Sequence, residues 1–305
     1  MKKIKLFIII LAIICIFSAC SMKPHEFAGD DFSIVTTIFP IWDWTKNIVG
    51  DLADVTLLTQ NGGDLHSYQP SVADIAKISS CDVFIYVGGE SDAWVDEVLK
   101  NKTNDKMKIV KLIDCIDAIE EDHDGHEHKP EPDEHIWLSV KNAKKCVAAL
   151  TAAVCEKDSY NADYYNENCA SYSKLLDELD EKFDSISKAE GGINTIIFGD
   201  RFPFKYLAND YGIEYSAAFS GCSAESEASF ETVAKLAAKI DETGSKMILV
   251  LENNDKKLAE TIRSATKKPS NVEILTINSM QSGNIGNYLD IMDNNAEIIR
   301  KALQK

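Results

Sequence analysis

The chain has 305 residues, 45% hydrophobic and 27% charged, with 32 Lys plus Arg against 49 Asp plus Glu for a formal charge of −17. That length holds about two domains, and the composition is that of a globular protein, excluding a disordered chain or a multispan membrane protein. The acidic balance excludes a nucleic-acid partner, because phosphate binding draws on clustered Lys and Arg.

Residues 1–5 carry three lysines, and residues 6–17 form a nearly pure apolar run. This is the length of a signal-peptide core and short of a membrane span. The run ends in Phe17-Ser18-Ala19-Cys20, which resembles a bacterial lipobox with Phe17 where Leu is usual. The resemblance implies residues 1–19 as a lipoprotein signal peptide and lipid attachment at Cys20. The protein would then sit on the extracytoplasmic face of the cell membrane of a Gram-positive-type bacterium. The alternative is an ordinary secretory signal or an uncleaved anchor with an incidental cysteine. Residues 20–31 are polar and read as a flexible tether.

Strand patterns are expected at 33–39 (stopped by Pro40), 55–59, 83–87 and 107–113, with helices at 42–49, 71–78 and 93–99. Alternating strands and helices argue for a parallel sheet covered on both faces. Residues 120–134 are charged, rich in histidine and end in prolines, so they read as a mobile loop that buries no core. Helical patterns resume over 140–155 and then over 161–188, which lacks Gly and Pro. There Tyr165, Tyr172, Leu175, Leu176, Leu179 and Phe183 recur at helical spacing and predict one long amphipathic helix, ended by Gly191-Gly192. A second set follows, with strands at 195–198, 247–251 and 272–277 and helices at 202–211, 229–241, 256–265 and 288–303. The expected organisation is an α/β lobe over 32–157, a rigid linking helix over 158–190 and a second α/β lobe over 191–305. Both sheets would be parallel and a ligand would sit in the cleft between the lobes, beyond the carboxyl ends of the strands.

Beyond Cys15 and Cys20, six cysteines remain: Cys81, Cys115, Cys146, Cys155, Cys169 and Cys222. None forms CxxC, which removes a zinc-ribbon or thioredoxin-like reading, and the sequence leaves their pairing open. The six histidines are His25, His66, His123, His126, His128 and His135. His66 and His135 both fall in loops beside element ends, where sites concentrate. A lone loop histidine is more often solvated or bonded to backbone; two of them, with a His- and acid-rich segment, suit zinc and related divalent ions.

The segment Gly62-Gly63-Asp64-Leu65-His66-Ser67-Tyr68-Gln69-Pro70 resembles the G-x-D-x-H-x-Y-x-P segment of zinc and manganese solute-binding lipoproteins of ABC transporters. Asp133-Glu134-His135-Ile136-Trp137-Leu138-Ser139 resembles their D-P-H-I-W-L-S segment. The order of parts agrees over nearly the whole mature chain. The resemblance implies His66 and His135 as metal ligands from the first lobe. It leaves the second lobe's pair open: anchoring on Tyr206 puts Arg201 at the family's ligand position, anchoring on Asp200 puts Gly199 there, and the late family aspartate falls at Asn278. Glu252 and Asp200, each beside a strand end, are the substitute candidates, followed by Glu225, Glu227 and Cys222. Each of these acids also reads as a solvated or capping residue. His123, His126 and His128 either collect zinc weakly and pass it inward or belong to a hydrated acidic loop.

The function so implied is capture of Zn2+, with Mn2+ as the alternative, by a monomeric protein that delivers it to an ABC permease. Binding is expected to weaken below about pH 6, where imidazoles with a reference pKa of about 6.5 protonate. The long helix would restrain hinging, leaving release to local loop movement. A degenerate family member acting as an adhesin-like lipoprotein or taking another ligand is the runner-up. A secreted zinc hydrolase is disfavoured because neither HExxH nor Gly-x-Ser-x-Gly is present.

Overall fold

The computed structural model describes residues 32–59, 64–120, 132–189, 191–219, 228–282 and 286–304. Cys20, His25, His123, His126, His128, Cys222, Glu225 and Glu227 lie outside them.

The first sheet has the order β2-β1-β3-β4, built from β1 (Ser33–Thr36), β2 (Asp54–Leu57), β3 (Val83–Tyr86) and β4 (Lys108–Lys111), all parallel. The second repeats the plan as β6-β5-β7-β8, from β5 (Thr195–Arg201), β6 (Glu214–Phe219), β7 (Met247–Leu251) and β8 (Glu273–Ile277). Parallel strands need crossovers, here α1 (Phe39–Val49), α2 (Val72–Ser80) and α3 (Val95–Leu99) in the first lobe. The second lobe uses α6 (Lys205–Tyr211), α7 (Phe230–Thr243) and α8 (Lys257–Ala265). The chain order reverses direction between β1 and β3 and again between β5 and β7, so the loops beyond the carboxyl ends of both sheets are where a ligand site is expected.

Two expectations are corrected. The first strand ends at Thr36, and Pro40 lies inside the first turn of α1, where its missing N–H costs nothing. The second sheet gains β6, a half-exposed edge strand whose sequence Glu-Tyr-Ser-Ala-Ala-Phe lacks a β-branched run.

The long helix α5 (Ala162–Ser187) runs 26 residues, about 39 Å at 1.5 Å per residue. Its buried stripe is Tyr165, Tyr172, Leu176, Leu179, Phe183 and Ile186. It packs on α4 (Val140–Lys157), on α1 and on the last helix α9 (Tyr288–Ala302). One apolar cluster runs from Ile34 and Trp44 through Trp137 and Phe183 to Phe198, Leu249 and Tyr288, joining the two lobes into a shared core. Among the described residues, Cys81, Cys115, Cys146, Cys155 and Cys169 are free thiols.

Asp43 on α1 sits at this junction, its Oδ2 accepting from the Tyr288 backbone N–H at 3.2 Å and from the Tyr172 hydroxyl at 3.5 Å. Burial outweighs these bonds and, with Asp290 nearby, pushes the carboxyl up to about 6 from 3.8. The folded chain therefore holds the proton more tightly than the unfolded one. Stability should fall as pH rises from about 4 to about 6 and stay lowered above it. Asp43→Asn keeps an acceptor, so it is expected to remove this slope and raise stability at pH 7.5 by up to about 3 kcal/mol. Denaturant titrations at pH 4 and pH 7.5 check it; an unchanged slope in the variant contradicts the assignment.

Candidate metal centre

His66 is delivered by a short 3-10 turn, Leu65–Ser67, in the loop that follows β2. The Asp64 side chain caps that turn by accepting from His66 N–H at 2.9 Å, and Leu65 anchors it in the core. His135 precedes a second 3-10 turn, Ile136–Leu138, all three residues of which are buried. Asp133 Oδ1 accepts from both the backbone N–H and the Nδ1 of His135, each at 2.8 Å. The two rings lie with centroids 5.4 Å apart at 53°. His135 is 1% exposed, and the His66 side chain keeps 23% of its surface in solvent, so one ring is sealed in and the other faces the entrance.

The protons on these rings follow from their neighbours. His135 Nδ1 faces the Asp133 carboxylate. His66 Nδ1 lies 3.0 Å from Ser91 Oγ and 3.1 Å from Glu134 Oε1. Acceptors on both Nδ1 atoms fix the proton there and leave both Nε2 lone pairs for a ligand, the arrangement in which carboxylates orient metal-binding imidazoles. The two Nε2 atoms converge on one point, the amide nitrogen of Gln281, at 3.1 Å from His66 and 2.7 Å from His135.

Glu134 completes the cluster: one donor atom from each of His66, Glu134 and His135 lies within 4.8 Å of the other two. Its Oε2 accepts from Ser91 N–H at 3.0 Å and its Oε1 from Ser91 Oγ at 2.5 Å. Burial raises this carboxyl, but the bond to His66, the charge of His135 and the Ser91 bonds outweigh it and hold it down at about 2. Glu134 thus stays ionised beside the rings. Two imidazoles suit zinc, and the carboxylate bonded to the Nδ1 of His66 lies behind that ring, where it orients it.

The second-lobe candidates are placed differently. Asp200 Oδ2 accepts from Leu251 N–H at 3.1 Å and Asn254 Nδ2 at 2.6 Å, and its Oδ1 from Arg201 N–H at 2.8 Å, so it ties β5 to the end of β7. Glu252 accepts from Ser279 through both N–H and hydroxyl at 2.7 Å. Neither belongs to the His66–Glu134–His135 group; both, with Arg201, line an adjoining cleft of about 470 Å³. Position 199 has no room for a side chain, since a Cβ there would lie 2.9 Å from that of Ala259. Asn278 turns its Oδ1 to the Met280 N–H at 2.8 Å, and the side chain that reaches the histidines is Gln281, three residues on. No sequence pattern marks Gln281, Ser91 or Glu134 as a functional residue; each is distinguished only by its place in a loop beyond a strand's carboxyl end.

The profile of the family described as zinc-uptake complex component A, periplasmic, matches residues 34–302. The chain belongs to this family. It is a family of metal-binding transport components and not of enzymes. The high-affinity zinc uptake system protein ZnuA of Bacillus subtilis is 30% identical, over 90% of this chain and 88% of that protein. The zinc-binding lipoprotein AdcA of Streptococcus pneumoniae is 30% identical over 99% of this chain, which spans only 61% of AdcA. The Zn(II)-bound ZnuA-like domain of that AdcA superposes with a TM-score of 0.74 at 27% identity, covering 90% of this chain and 100% of the domain.

Within this zinc-uptake family member, Glu134→Gln should separate orientation from packing. The amide fits the same space but cannot accept at both oxygens or carry charge. Loss of such an outer-shell carboxylate costs about 10–100-fold in metal affinity. Calorimetric zinc titration of the variant checks it, and unchanged affinity would remove Glu134 from the centre.

Proposed function

We propose that this protein captures a divalent cation, zinc first and manganese as the alternative, outside the cytoplasm and hands it to the permease of an ABC importer. The observation that carries this reading is the convergence of two Nε2 lone pairs, each fixed by an acceptor on the opposite ring nitrogen. His66 and His135 are the ligands, Glu134 orients His66 and offsets part of the ion's charge, and Glu252 supports the site through Ser279. The protein binds its cargo and performs no chemistry on it. A chain with a net charge of −17 also raises the local concentration of cations around the entrance.

The shared core and the helix α5 restrain the lobes, so uptake and release fall to the loops carrying His66 and Gln281. Anchoring at Cys20 would keep the monomer beside its permease. Titrating the purified protein with zinc and with manganese should give one saturable site per chain and the tighter binding for zinc. No saturable binding of either ion contradicts the proposal.

A further inference from the structure

Gln281 is aimed at the histidines by a backbone that few residues adopt unforced. Met280, just before it, has φ +56°, a left-handed conformation imposed by its surroundings. Met280 is 1% exposed, its N–H is held by Asn278, and Asn278 N–H is held by Asn295 Oδ1 at 3.0 Å. The turn sends the Gln281 side chain between the two rings. Its carbonyl oxygen faces Ser279 Oγ at 3.1 Å, and the same hydroxyl is bonded to Glu252 at 2.7 Å. Its backbone oxygen accepts from Leu65 N–H at 3.1 Å, next to His66.

An amide nitrogen donates hydrogen bonds and offers no lone pair to a cation. With its nitrogen at the point where the two Nε2 atoms converge, Gln281 competes for that point, and it would have to turn its carbonyl oxygen inward to act as a ligand. We propose that Gln281 is a built-in placeholder for the cargo. With no ion bound, its amide bridges the two imidazoles and latches the loop after β8 onto the first lobe; an entering cation must break both bonds and displace it. This deepens the reading of His66 and His135 as the cargo site and rests on it. It gives the site a moderated affinity and a self-closing apo state, since the amide can return to the rings when the ion leaves.

The test uses the full chain, Gln281→Ala and Gln281→Glu, with zinc binding followed by calorimetry and stopped flow, and amide hydrogen exchange measured without metal. Gln281→Ala no longer has to break two neutral hydrogen bonds, so its zinc affinity should rise about tenfold, chiefly through faster association. Its metal-free form should exchange faster at Leu65 and His66, and zinc should abolish that difference. Gln281→Glu preserves the side chain's shape, replaces the competitor with a donor and should bind more tightly still. If the alanine variant fails to fold, the glutamate variant carries the test. Equal or weaker binding by Gln281→Ala, or no gain in Gln281→Glu, overturns the placeholder. Failure of all three folded proteins to bind zinc overturns the histidine-pair reading itself, and the proposal with it.

Discussion

Replacing His66 by alanine should weaken zinc binding by more than the roughly 100-fold that loss of an outer-shell partner can cost, with little change in the stability of the metal-free protein. The ring is one of two convergent Nε2 donors and sits partly in solvent. Its removal takes away one of the two proposed ligands but leaves no large cavity. His135→Ala should reach a similar loss of affinity by a different route. That ring is buried and bonded to Asp133, itself only 3% exposed, so the variant also takes a hydrogen-bond donor from a carboxylate in the interior. The backbone N–H of residue 135 still reaches Asp133, so the loss is that of one of two donors to a buried carboxylate, about 1–3 kcal/mol. The pair of variants thus separates binding from folding: both lose zinc, and only His135→Ala loses thermal stability. Wild-type zinc affinity in His66→Ala would refute the assignment outright.

The α/β alternation is legible because buried parallel strands such as Val83–Tyr86 are unbroken apolar runs, and because α5 repeats its aromatic and leucine positions at helical spacing. Strand β6 escapes such reading because an edge strand buries little and needs no apolar run. The two histidines stand out as sequence features: each is flanked by an acidic residue that fixes it and an apolar residue that anchors its turn, as in Asp64-Leu65-His66 and Asp133-Glu134-His135-Ile136. Gln281 has no such flank. It reaches the rings only because the left-handed Met280 turns the chain toward the other lobe, 146 residues from His135, and no periodicity encodes that approach. Gly199 and Asp200 show the same dependence on tertiary context. They occupy the right strand end, but one is pressed against Ala259 and the other is spent on the Leu251 and Asn254 amides.

Trp137 is where stability and binding meet, and Trp137→Ala should cost about 3–5 kcal/mol, the usual range for emptying a buried aromatic site. The side chain is 1% exposed, lies 5.3 Å from the His135 ring between centroids and belongs to the core shared by both lobes. Its indole N–H donates to the Ser279 carbonyl at 2.8 Å, and its own carbonyl accepts from the Tyr288 hydroxyl at 2.7 Å. Ser279 in turn holds Glu252 and faces Gln281. Trp137 therefore sets the distance between the turn that carries His135 and the turn that carries Gln281. Trp137→Phe keeps most of the packing and loses the N–H, leaving a buried carbonyl without that donor, at about 1–3 kcal/mol. Denaturant midpoints at constant slope read both losses. If the strut reading is right, the phenylalanine variant also changes the hydrogen exchange of residues 279–282 without metal. A phenylalanine variant as stable as wild type, with unaltered exchange there, would reduce Trp137 to bulk packing and leave the Ser279–Gln281 turn to its bonds with Glu252, Asn278 and Leu65.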